Sequence, residues 1–153
     1  MRVRPGRPTE AAQLTALALR SKAHWGYDKA FMAACRDELT VLPGDTAGGR
    51  TLVAEEDGHI LGFTTLSGEP PEGVLAMMFV EPGAMGRGVG RLLFEQTMAR
   101  SGRLGFEALT IDADPHAEPF YAARGAVRIG ATPSGSIPGR ELPLLRIALD
   151  APS

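Results

Sequence analysis

Cysteine is nearly absent: Cys35 is the only one in 153 residues. A lone cysteine excludes an internal disulfide and fits a reducing compartment, with the cytoplasm as the expected location. One cysteine and three histidines give no CxxC or HExxH spacing, so no metal is expected. No stretch approaches the roughly 18 apolar residues of a membrane span. The start superficially resembles a leader, with Arg2, Arg4 and Arg7 ahead of Leu14–Leu19. Gln13 and Thr15 interrupt that apolar stretch and Pro5 and Pro8 precede it, so it reads as a first strand and a helix. A basic excess is lacking too. The formal charge is −2, which argues against nucleic acid as a bulk partner.

What is present suits one domain over residues 1–153. Hydrophobic residues make up 44% and charged residues 22%, ordinary values for a chain that buries its own core. The 19 glycines and 12 prolines predict many tight turns. Arg2–Arg4 is a short strand ended by Pro5. Thr9 is placed to cap a helix whose Leu14, Leu17 and Ala18 share a face. Asp28 caps a second helix, with Tyr27 and Met32 as a hydrophobic staple, and Cys35 falls on that helix's apolar face with Phe31 and Leu39. Pro43–Gly49 is a loop. Thr51–Glu56 and His59–Leu66 form a hairpin, because Asp57-Gly58 supplies the positive φ angles of a two-residue turn. Val74–Val80 is an uninterrupted apolar strand, expected to be buried on both faces and stopped by Pro82.

A helix follows from about Gly88 to Ser101, with Val89, Leu92, Leu93 and Gln96 on one side. Ala108–Ile111 is a strand, Ala117–Arg124 a short helix closed by Gly125, and Val127–Ala131 and Leu142–Leu149 are the last strands. The fold class is α/β (α+β): a mixed, mostly antiparallel sheet of about seven strands with about four helices.

The chemistry concentrates in Val80-Glu81-Pro82-Gly83-Ala84-Met85-Gly86-Arg87-Gly88-Val89-Gly90-Arg91. A strand runs into a glycine-rich turn that opens a helix, where free N–H groups and the helix dipole favour an anion. Arg87 and Arg91 stand at a helix start that normally prefers acids, and no acid follows until Glu95. A phosphate-bearing ligand would complete that charge balance. There is no GxxxxGK[ST], and Leu93 falls where a Rossmann GxGxxG would place its third small residue.

Met85-Gly86-Arg87-Gly88-Val89-Gly90 resembles the acetyl-CoA pyrophosphate loop of GNAT acetyltransferases, (Gln/Arg)-x-x-Gly-x-(Gly/Ala) after a strand. Ala117-Glu-Pro-Phe120-Tyr121-Ala-Ala-Arg-Gly125 is similar to the A-x-x-F-Y-x-x-x-G-F segment of that family. Both lie in the family's order, and the order of elements matches over nearly the whole chain. Met85 stands where the family has Gln or Arg, and Ala126 where it has Phe. Asp114 and His116 stand where it often has a pantetheine-contacting Asn.

The resemblance implies acetyl-CoA as co-substrate and acyl transfer to a primary amine by direct attack. It implies that Met78, Phe79 and Val80 line the pantetheine arm and that residues 85–91 hold the pyrophosphate (Met85, Gly86, Arg87, Gly88, Val89, Gly90 and Arg91). His116 takes the remaining cofactor contact. Tyr121 falls at the general-acid position. His24, Trp25 and Tyr27, between the first two helices, are candidates for the acceptor pocket, and Arg140 in the Ser134–Arg140 loop is a candidate for an anionic acceptor. The base stays open among His24, His116, Asp112, Glu72 and water. An alkyl amine of pKa about 10.4 is mostly protonated at pH 7, at a cost of roughly 4–5 kcal/mol. A homodimer is left open. Two other readings compete: a non-catalytic acyl-CoA-binding sensor, and a nucleotide-binding protein using the same turn. The latter ranks last because the loop has no lysine.

Overall fold

The computed structural model describes residues 1–149. Seven strands form one mixed sheet in the order β1-β2-β3-β4-β5-β7-β6. These are β1 (Arg2–Pro5), β2 (Thr51–Glu56), β3 (His59–Ser67), β4 (Glu72–Val80), β5 (Ala108–Asp112), β6 (Val127–Pro133) and β7 (Glu141–Ala148). The helices are α1 (Ala11–Ala23), α2 (Lys29–Cys35), α3 (Val89–Arg103) and α4 (Glu118–Ala123). The β4–β5 pair is parallel, while β1–β2, β2–β3, β5–β7 and β6–β7 are antiparallel. The chain divides into two compact units, Met1–Thr65 with Met77–Thr97, and Leu66–Ala76 with Met98–Ser153.

In the first unit, Asp57 and Gly58 take φ of 51° and 79°, which confirms the two-residue hairpin turn. The register then slips: Ala54 faces Gly62, but Glu55 faces Ile60. Leu61 is the extra residue of a β-bulge, and its carbonyl accepts the Glu81 N–H at 2.8 Å. Gly62 is there for room. A Cβ at that position would sit 2.8 Å from the Phe79 carbonyl oxygen and 2.9 Å from Leu93 Cδ1. The bulge and the glycine together let β3 hold the end of β4.

The helix α3 buries Val89, Leu93, Phe94 and Thr97. Its apolar stripe is therefore rotated from the expected one: Leu92 is half-buried and Gln96 exposed. Thr97 accounts for the shift, since its hydroxyl meets that of Thr64 on β3 at 2.8 Å with both side chains fully buried. A hydrogen-bonded pair of this kind removes the penalty of burying either hydroxyl alone.

Two other expectations change. Thr9 lies inside a 3-10 turn, Pro8–Glu10, and does not cap α1; Glu10 instead accepts from the Arg7 N–H at 2.8 Å and from Arg4. Tyr27 packs against Phe31, with ring centroids 4.0 Å apart and planes 10° apart. Asp28 caps α2 as expected, accepting from the Phe31 N–H at 2.8 Å. Pro43–Gly49 forms 3-10 turns where an irregular loop was expected.

In the second unit, β4 and β5 are in register from Glu72↔Ala108 to Val74↔Thr110. Gly73 lies against the Phe106 ring, where a Cβ would come within 2.5 Å. The chain closes α4 with Gly125 at φ 98°. Against expectation, β4 is not buried throughout: Ala76 is exposed and Met77–Val80 are half-buried.

Candidate active site

The first unit holds the strand end, the glycine turn and the aromatic segment. Met78 and Val80 pack on a cluster of Ala54, Ala84, Val89 and Leu93. After Val80 the chain makes a 3-10 turn, Pro82–Ala84, and Met85 is extended. Gly86 and Gly88 both take φ 81°, a conformation that L side chains rarely adopt, and the space where each would carry a Cβ is open to 4 Å. The turn then enters α3 at Val89. Its sequence is dictated by backbone shape, and the face it opens is one that a phosphate group can approach. A diphosphate fits this turn on three counts: positive-φ glycines, unobstructed space before them and a helix N-terminus behind them.

The two arginines are not bare. Arg87 Nη2 donates to Glu56 Oε2 at 2.7 Å, and Arg91 Nε to Glu95 Oε1 at 3.2 Å. Both pairs are solvent-exposed, so each is weak and exchangeable. Sequence reading missed Glu56, whose only signal is its place at the foot of the Asp57-Gly58 turn.

It also missed the pair Arg20–Glu81. Arg20 Nε and Nη2 reach the two Glu81 oxygens at 2.8 Å each, a bidentate contact that ties the last turn of α1 to the residue after β4. The guanidinium holds the Glu81 carboxyl below its ordinary range. Beyond this tie, His24 and Trp25 meet edge to face at 5.3 Å, and both are exposed. Tyr27 stacks on Phe31, and Lys22 Nζ lies 5.2 Å and 5.9 Å from their ring centroids.

The second unit gathers Tyr121, His116 and Arg140 around Asp114. The Asp114 Oδ1 accepts from the His116 N–H at 2.9 Å and lies 2.9 Å from His116 Nδ1; Oδ2 lies 3.6 Å from Arg140 Nη2. The N–H groups of Ala117 and Glu118 bond to the Asp114 carbonyl, so the same residue starts α4. Tyr121 is buried, 6% exposed, against the edge of Phe120. Burial, with the Asp114 charge adding to it, pushes its phenol above the ordinary value. Arg140, expected to meet an anionic acceptor, is partnered by Asp114. Of the candidate bases, Glu72 pairs with Arg146 at 2.8 Å, while Asp112 ends β5 and is exposed.

No group of three or more His, Cys, Asp or Glu side chains among the described residues is placed to hold a metal. No helix among them is long and apolar enough to cross a membrane. A cavity of about 540 Å³ beside α1, lined by Ala11, Thr15, Leu19, Arg36, Val41 and Pro43 among others, takes in none of the predicted site residues.

The turn, its arginines and the strand before it form a strand–turn–helix unit within a seven-stranded mixed sheet. The profile described as acetyltransferase (GNAT) domain matches residues 26–134, and the chain belongs to the GNAT acetyltransferase family. Among solved structures, it is similar to a GCN5-related N-acetyltransferase from Rhodopseudomonas palustris, with 28% identity, TM-score 0.75, and 97% of this chain and 95% of that one covered. The PaiA N-acetyltransferase of Thermoplasma acidophilum in complex with coenzyme A shares the fold at 13% identity, TM-score 0.75, covering 96% and 98%. So does yncA of Salmonella typhimurium, a putative acetyltransferase with acetyl-CoA, at 18% identity, TM-score 0.68, covering 100% and 96%. No curated protein matches the sequence.

Proposed function

We propose that the chain is a single-domain, acetyl-CoA-dependent N-acetyltransferase that acylates a primary amine. The observation that carries this reading is the turn at residues 85–91: two glycines at φ 81° with open space before them, at the start of α3 and flanked by Arg87 and Arg91. Family membership and the coenzyme-bound relatives of like fold support it. In this reading, the N–H groups of residues 86–91 take the pyrophosphate, and Arg87 and Arg91 exchange Glu56 and Glu95 for phosphate oxygens. Met78, Phe79 and Val80 carry the pantetheine arm, and their half-buried side chains fit a strand with a ligand to cover. His116 is the remaining cofactor contact.

The acceptor nitrogen attacks the thioester carbonyl carbon, and the C–S bond breaks. The nitrogen yields its proton to water or to His24, the base candidate beside the aromatic segment. Tyr121 gives the phenolic proton to the departing thiolate. Its raised pKa keeps the phenol protonated at every working pH but makes the transfer uphill, so the acid must be positioned rather than strong.

Titration calorimetry with acetyl-CoA tests this. Micromolar binding lost in Arg87→Glu and Gly88→Asp supports the reading, and absence of binding to acetyl-CoA and CoA overturns it. An acyl-CoA sensor is the second reading: it predicts the same binding but no CoA release with any amine.

A further inference from the structure

The cavity beside α1 belongs to nothing assigned so far, and its walls are held in place. Its residues all lie in the first unit, with Ala12, Ala16 and Leu19 on one face of α1 and Val41 and Pro43 on the segment after α2. Thr15 joins the two walls: its hydroxyl accepts the Val41 N–H at 2.8 Å and donates to the Ala11 carbonyl at 3.0 Å. The segment is pinned again one residue on, where the Leu42 N–H donates to Asp45 Oδ2 at 2.8 Å. A space of about 540 Å³ between fixed walls lies within the roughly 300–1,000 Å³ that small-molecule sites occupy.

What the walls offer a ligand is narrow. Both lining hydroxyls are spent, that of Thr15 as above and that of Thr40 on the Arg36 carbonyl at 2.8 Å. An amide or a sugar entering here would give up water without finding a partner, a cost that an alkyl chain does not meet. Arg36 is the exception. Its backbone caps the C-terminal end of α2, and among the described residues its guanidinium makes no hydrogen bond or ion pair. The acids next in the chain, Asp37 and Glu38, are exposed and do not line the cavity. One fork of donors beside apolar walls suits a carboxylate and repels a cation.

We propose that this cavity binds an alkyl carboxylate, with the chain along Ala12, Ala16 and Leu19 and the carboxylate on Arg36. Ala12 to Leu19 spans about 10 Å of helix, which sets a medium-chain fatty acid as the occupant. The site is separate from the glycine turn, and the inference stands whether or not the chain transfers acetyl groups.

Titration calorimetry with sodium alkanoates, kept below their micelle concentrations, tests this. From hexanoate to decanoate, affinity should rise about two- to fourfold per added methylene. Decyltrimethylammonium, with the same tail and the opposite charge, should bind about fivefold more weakly than decanoate. Arg36→Gln should remove most of that difference and keep the chain-length trend. Ala12→Phe and Ala16→Phe fill the space from two positions, and each should lower decanoate affinity about tenfold or more. Ala12 is an exposed helix position, so its variant keeps the fold even where Ala16→Phe does not. Saturating acetyl-CoA should leave decanoate affinity unchanged. Absence of decanoate binding, equal affinity for anion and cation, or indifference to Ala12→Phe overturns the inference. So does displacement by acetyl-CoA, which would put the acid at the glycine turn instead.

Discussion

Glu56 Oε2 accepts a 2.7 Å hydrogen bond from Arg87 Nη2, so the acid at the foot of a hairpin occupies the cation of the glycine turn. Bound phosphate would have to displace a carboxylate. Glu56→Gln should therefore bind acetyl-CoA more tightly, by about two- to fivefold, because an exposed pair is worth at most about 1 kcal/mol. Arg87→Gln should bind about tenfold or more weakly. Calorimetry at low and high salt checks both, and unchanged affinity in Glu56→Gln would show that the pair does not compete with the ligand.

Tyr121 should resist ionisation. Burial first, and the Asp114 charge second, disfavour its phenolate. The chain has two tyrosines, so a Tyr27→Phe variant leaves only this one to follow by ultraviolet absorbance. No tyrosinate should form near pH 10, the ordinary phenol value, until the protein unfolds at higher pH. A reversible titration near 10 in the folded protein would contradict the burial. In the transferase, Tyr121→Phe should lower kcat by about 10²-fold or more while leaving acetyl-CoA affinity in place.

Gly62→Ala should destabilise the protein by about 1–3 kcal/mol, since the new Cβ meets the Phe79 carbonyl oxygen at 2.8 Å and this oxygen is backbone. Gly83→Ala serves as a control, because a Cβ there meets nothing within 4 Å. Thermal melts compare the two; equal melting temperatures would mean that β3 and β4 relax apart without cost.

Acid should weaken the N-terminal strand. Arg4 donates to Glu10 at 2.7 Å and 3.0 Å and pairs with Glu55 at 2.9 Å, and its hydrogen bonds hold both carboxyls below the usual range. A depressed folded-state pKa stabilises the fold above the unfolded value, about 4.3, and that contribution is lost as pH falls through the folded value. Denaturation curves from pH 7 to pH 3 should thus fall more steeply for the wild type than for Arg4→Met. Parallel curves would remove the pairing from the acid response.

The chain declares its order of elements openly, because period, turn residues and prolines are local signals. Asp57-Gly58 and the cap at Asp28 are read from two or three adjacent residues, and both form as expected. What escaped is what distant residues do to each other. Nothing in spacing links Arg20 to Glu81, and nothing announces that Thr97 will turn α3 toward Thr64. Leu92 and Gln96 fit the helical period as well as Leu93 and Thr97 do, and only a partner across the sheet decides between them. The apolar run of β4 misled for a related reason. Local hydropathy cannot separate a strand covered by protein from one whose side chains are left half-open.

The glycine turn also has a history within each folding event. Its flanking charges are closed by partners 31 and 61 positions away in sequence, Glu56 for Arg87 and Arg20 for Glu81. Contacts of that separation form only after loop closure, so the turn acquires its shape late and loses it early. A denatured chain offers no comparable cradle. Whatever anion fills the turn then binds the native chain alone, and its occupancy adds directly to the free energy of unfolding. A melting temperature that climbs with ligand concentration would in that sense be a record of when the cradle exists.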